Sequence, residues 1–225
     1  MLLKNIMATG AIVTGLMACA HSDVRETAMR RIAQPTTLSA VKAFARGAWQ
    51  SISIELRPSE DRTGQGTVQP VRLKRRFEYL AGDKFIGTIT MFADNYGQAP
   101  LMEFEFRGSL KWGEAHPIAQ GAFNVDYVLD EGFGVTPLME TAAALLNRGR
   151  PEGLPPFVVG QKANILRKAF PLFNISEGQT VVDYDLIYFQ NGMLFMGAKH
   201  VDGTPFDEPE RRPHQLQVPL MRAPS

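Results

Sequence analysis

Apolar residues recur at every second position through most of this chain from Trp49 onward, and that period constrains its fold more than any other feature. Alternation puts successive side chains on opposite faces of an extended backbone, so each stretch predicts a half-buried β-strand. In the first, Ile52, Ile54 and Leu56 share one face, while Trp49, Ser51, Ser53, Glu55 and Arg57 share the other. Val71, Leu73, Arg75, Phe77 and Tyr79 alternate next, followed by Leu80-Ala81-Gly82-Asp83 and the run from Lys84 to Phe92, the pattern of a β-hairpin. Leu101 to Arg107 sets Met102, Phe104 and Phe106 against Glu103 and Glu105, and a further strand carries Ala119, Gly121, Phe123, Val125, Tyr127 and Leu129. Strands are also expected at 180–189, 193–199 and 216–221. One helix interrupts the series, with Thr136 as N-cap, Pro137 at its first position, Glu140 in the first turn and Gly149 at its end. A shorter helix is expected at 164–170, and 58–70 reads as an exposed loop. Eight or more strands in meander order predict a mainly β fold, an antiparallel barrel or strongly curved half-barrel that removes exposed edges and encloses a small ligand.

The first residues read as an address. Lys4 precedes an apolar run from Ile6 to Ala18 that is too short to span a bilayer comfortably, the pattern of a secretory signal peptide. Leu16-Met17-Ala18-Cys19 resembles the bacterial lipobox, in which the cysteine is lipidated and becomes the new N-terminus; the plainer reading is a signal peptide whose cysteine falls there by chance. Ala20 after the cysteine favours, by analogy with bacterial sorting, the periplasmic face of the outer membrane. The expected organisation is a signal peptide over 1–18, a lipidated tether and helical lead-in over 19–46, and a ligand-binding barrel over 47–225. Cys19 is the only cysteine, which excludes an intramolecular disulfide or a cysteine-based zinc site. A 44% hydrophobic composition supplies a core that carries the fold without them. Lys and Arg number 24 against 23 Asp and Glu, so there is no basic excess for a nucleic acid partner.

Gly47-Ala48-Trp49-Gln50-Ser51 with Glu55-Leu56-Arg57-Pro58 resembles, without a gap, the opening of the ectodomain of the adenomatosis-polyposis-coli-down-regulated Wnt-antagonist family, G-x-W-x-S-x-x-C-E-x-R-P. Arg75 and Phe77, Asp94 and Pro100, Arg107-Gly108, Val135-Thr136-Pro137, Leu145-Leu146-Asn147 and the segment from Asp207 to Pro219 extend the likeness over most of 45–221. Ile54 stands where the family has its first cysteine, and the other family cysteines are absent, so apolar packing must replace the disulfides. The resemblance implies a lipocalin-like barrel with an apolar pocket that holds the acyl group of a lipid or lipid-modified partner and catalyses nothing.

The candidate pocket residues are Trp49, Phe77, Tyr79, Ile89, Met91, Phe104, Phe106, Phe123, Val125 and Tyr127, although aromatic and branched residues at period two also build ordinary cores. A sixteen-carbon acyl chain gains at most ~12 kcal/mol from burial, and association costs of about 4–15 kcal/mol leave micromolar binding within reach. Glu55, Arg57 and Arg75 form either a polar network that closes the barrel base against Trp49 or a headgroup site. Nucleophile elbows, zinc-protease helices and phosphate loops are absent from the sequence. Asp183 and Asp185 share one strand face, either as a carboxylate pair for acid and base work or as a solvated face. His116, His200 and His214 are far apart and read as surface residues, so no metal and no cofactor is expected. Two further functions stay open: an interaction lipoprotein with a filled barrel that binds another envelope protein, and a small pocket hydrolase or isomerase.

Overall fold

The computed structural model describes residues 34–57, 70–198 and 205–224, so Cys19, the first part of the expected tether and helical lead-in and the loop at 58–69 lie outside the described residues. Helix α1 (Leu38–Ala45) opens the described part, its Thr37 hydroxyl accepting from the Ala40 amide. The strands are β1 (Gly47–Ser51), β2 (Glu55–Arg57), β3 (Val71–Leu80), β4 (Lys84–Phe92), β5 (Pro100–Ala115), β6 (Phe123–Pro137), β7 (Ala163–Asn164), β8 (Val181–Gln190), β9 (Met193–Met196) and β10 (Leu220–Arg222). Helix α2 (Glu140–Arg148) follows β6.

Eight of these strands close into an antiparallel barrel in the order β1, β10, β9, β8, β6, β5, β4, β3 and back to β1, as expected of a lipocalin-like fold. Closure rests on β1, which pairs with β10 through Trp49 opposite Arg222 and with β3 through Trp49 opposite Phe77. Because cross-strand neighbours share a face, register identifies the interior: Arg75, Ile89, Phe104 and Val135 form one inward row, and Phe77, Gly87, Phe106 and Phe133 another. The β3–β4 turn marks one end, the base, and the β4–β5 loop marks the mouth. Asp94 fixes that loop by accepting from the amides of Tyr96, Gln98 and Ala99.

The base is sealed by α1, whose Val41 and Ala45 are fully buried. The Trp49 indole donates to the Ala45 carbonyl at 2.7 Å, and the Arg222 guanidinium lies 4.3 Å from the Trp49 ring centre. Arg222 also donates to the carbonyls of Phe44 and Arg46, so the last strand clamps the first helix. Gly108 sits at an irregularity between β5 and β6, where a Cβ would collide with the Val128 carbonyl.

Four local expectations are corrected. The expected strand over 49–57 breaks at 52–54 into β1 and β2, and its Ile/Leu face turns outward, leaving Ile52 and Leu56 exposed. The opposite face wins because Trp49 seals the base and Glu55 finds an arginine inside. Thr136 and Pro137 end β6, and α2 begins later with Met139 as N-cap; pairing with Glu103 and Met102 holds them in the sheet. The expected helix at 164–170 is instead the end of β7 and an irregular segment leading to a single 3-10 turn at Pro171–Phe173. The segment at 119–122 is turn, and β6 starts at Phe123.

Replacing Trp49 by Ala is expected to cost about 3–5 kcal/mol of unfolding free energy in a urea titration. Arg222→Leu, which removes the stacked cation and two carbonyl contacts, is expected to cost about 1–3 kcal/mol.

Candidate functional site

All ten apolar pocket candidates face the barrel interior or its ends, but they divide into two groups. At the base, Trp49, Tyr79, Val125 and Tyr127 are buried. Trp49 packs against Phe189 at 5.3 Å between ring centres, and Tyr127 receives Phe77 at 5.8 Å and Phe85 at 5.0 Å. Phe123 is half-buried and packs on the same cluster. These side chains fill the base. Of these side chains, Tyr79 also borders a cleft between α1 and β5.

The mouth differs. Ile89, Met91 and Phe106 point inward yet are only half-buried, beside a buried Phe104. A clip of chain over 165–179 packs beside them, on Phe104 and Phe133. Phe173, at its 3-10 turn, stacks on Phe104 at 4.8 Å and on Phe133 at 6.1 Å while remaining 41% exposed. The clip satisfies many of its own polar groups: Phe170 and Ile175 exchange backbone hydrogen bonds, Gly178 donates to Arg167, and the Glu177 carboxylate accepts from the Ala169 amide and from Lys168. Its grip on the barrel is therefore largely apolar, apart from the Ile165 amide donating to Phe133 at 2.7 Å. No feature of sequence period reveals this clip, because its side-chain order follows neither 2 nor 3.6.

Glu55, Arg57 and Arg75 do come together, between the mouth and the middle of the barrel. Glu55 accepts from the Ser51 hydroxyl at 2.6 Å, from Arg75 Nε at 2.9 Å and from Arg57 Nη2 at 2.6 Å. Burial pushes the Glu55 carboxyl up, and Arg75, Arg57 and Ser51 together more than reverse this, holding it below its ordinary value. Every guanidinium nitrogen of Arg75 is engaged, with Nη2 on the Val218 carbonyl at 2.8 Å and Nη1 near Met196 Sδ at 3.4 Å. Such a saturated pair supports a structural role rather than a headgroup site. The cation on Trp49 is a different arginine, Arg222, which the sequence reading did not single out.

Asp185 is the second buried charge-bearing group, and the solvated-face reading of it is corrected. It is 2% exposed, opposite Val125, and its Oδ1 accepts from the Leu186 and Gly197 amides, each at 2.7 Å. Gly197 admits this approach because a Cβ there would meet both Pro213 and the carboxylate. Burial and then the neighbouring Asp183 push the Asp185 carboxyl up to about 8. The Tyr79 and Tyr127 hydroxyls, 2.6 Å apart, are likewise raised, mainly by burial. His116 is also corrected, being buried rather than on the surface, with its Nδ1 accepting from the Ile118 amide at 3.2 Å.

Among the described residues, no cluster of three His, Cys, Asp or Glu side chains is arranged to hold a metal ion, and no helix is long and apolar enough to cross a membrane. No family model matches the chain, and no curated protein does.

Removing Arg75 alone, as Arg75→Met, leaves the buried Glu55 with only Arg57 and Ser51 as partners and is expected to cost about 1.5–3 kcal/mol in denaturant; the Glu55→Leu/Arg75→Met pair is expected to be more stable than that single variant. Asp185 is protonated in the folded chain and ionised once unfolded, so the stability it lends is complete below about pH 4 and is lost as pH rises through about 8. Asp185→Asn keeps an acceptor without titrating, so its melting temperature relative to the parent is expected to climb between pH 5 and pH 8. A constant difference would contradict the assignment.

Proposed function

We propose that this chain is a non-enzymatic, lipid-anchored binding protein of a bacterial envelope that takes the acyl chain of a lipid or lipid-modified partner at the mouth of its barrel. The observation that carries the reading is the inward-facing, half-buried set of Ile89, Met91 and Phe106, beside a Phe104 that is capped by Phe173 of an apolar clip. An acyl chain entering there gains about 0.8 kcal/mol for each methylene it buries, and it replaces Phe173 against Phe104 and Phe133 without exposing backbone polar groups. The packed base sets a floor to its depth, so the site suits the terminal part of a chain rather than its whole length.

The Cys19 anchor and the kinship with the Wnt-antagonist ectodomain belong to the same proposal. They rest on the lipobox-like Leu16-Met17-Ala18-Cys19 and on the ordered motifs from Gly47 to Pro219. A second reading, an interaction lipoprotein with a filled barrel, draws on the solid base and on the exposed Ile52, Leu56 and Tyr96 near the mouth.

The two readings separate in a titration with 11-(dansylamino)undecanoic acid. Micromolar binding is expected, weakened at least about tenfold by Met91→Glu, which places a charge in the entry path. No uptake by the parent, or equal uptake by a Met91→Glu protein of unchanged melting temperature, favours the filled barrel. The anchor is tested separately: the parent is expected in the detergent phase of a Triton X-114 extract and Cys19→Ala in the aqueous phase.

A further inference from the structure

A hollow lies at the sealed base, at the opposite end from the mouth. It is a cleft of about 330 Å³ between α1, the β3–β4 turn and β5, lined among others by Lys42, Arg46, Asp83, Leu110 and Trp112. That volume sits at the lower end of the range for small-molecule sites, too small for a diacyl lipid.

Two cations and an indole ring line its walls. Trp112 supplies the ring, its own N–H being buried. Arg46 has no carboxylate partner among the described residues. Lys42 meets Asp83 at 2.7 Å, but the two side chains are 35% and 44% exposed, so the pair holds weakly and is readily re-partnered. The Lys42 ammonium also stands 5.8 Å from the Trp112 ring centre. Two cations against one carboxylate leave the cleft net positive, and Ala43, Ala45, Leu80 and Leu110 supply apolar walls.

The geometry points to a binding site for a small apolar carboxylate in this cleft, its anionic oxygens meeting Lys42 and Arg46, its apolar body lying against Trp112, Ala45 and Leu110. The site is independent of acyl binding at the mouth, and either can fail without the other.

The probe is 2-naphthoate, titrated into the ¹⁵N-labelled full chain while the two tryptophan indole resonances are followed, with Trp112→Phe supplying their assignment. The Trp112 indole resonance is expected to shift and saturate as the naphthyl ring packs beside it, whereas that of Trp49, bonded to the Ala45 carbonyl, stays in place. Lys42→Glu and Arg46→Glu, both at exposed or half-exposed positions and checked by unchanged melting temperature, are each expected to weaken binding about tenfold or more, and the uncharged 2-naphthalenemethanol is expected to bind weaker by a similar factor. An unmoved Trp112 resonance at millimolar naphthoate overturns the assignment. So does affinity that survives both charge reversals, or that is equal for the alcohol.

Discussion

Trp49 is the side chain on which the closed barrel depends. Its strand joins β10 to β3, its indole is bonded to the helix that seals the base, and its ring carries the guanidinium of β10. Three distant parts of the sequence thus converge on one buried residue. Closure abolishes the sheet edges that an open array of this length would expose. It also fixes an interior volume that side chains or a ligand must occupy, and at the base aromatic rings occupy it.

The polar groups inside follow from the same closure. A barrel interior offers no water to an unpaired charge, so Glu55 and Arg75 persist by satisfying each other, and Asp185 persists by binding two amides and keeping its proton. Both arrangements are spent on protein atoms. The chemistry available to a ligand lies instead at the two ends: apolar contact at the mouth and net positive charge at the base cleft.

Much of this was legible in the sequence. Period two located the β3–β4 hairpin and the inward rows of β5 and β6, because burial on one face imposes that pattern. The Gly47-Ala48-Trp49 opening also marked the strand that closes the barrel. What was illegible depended on partners far along the chain. Whether Trp49 or Ile52 faced inward was decided by α1 and Arg222, and whether Pro137 opened a helix or ended a strand was decided by pairing with β5. Asp183 and Asp185 share a face in any strand, but only the β6 register places that face inside. Phe173 lies in a segment without period, and the base cleft is assembled from α1, β3, the following turn and β5, so neither left a local trace.

The proposed function stands or falls with acyl binding at the mouth. Native mass spectrometry of the Cys19→Ala chain, purified from the envelope without detergent and followed by solvent extraction, tests this most directly. A fatty acid or phospholipid bound near one to one, and lost in Met91→Glu, is the predicted result. A protein that emerges empty and fails to take up added fatty acid would contradict it, leaving a barrel filled by its own side chains.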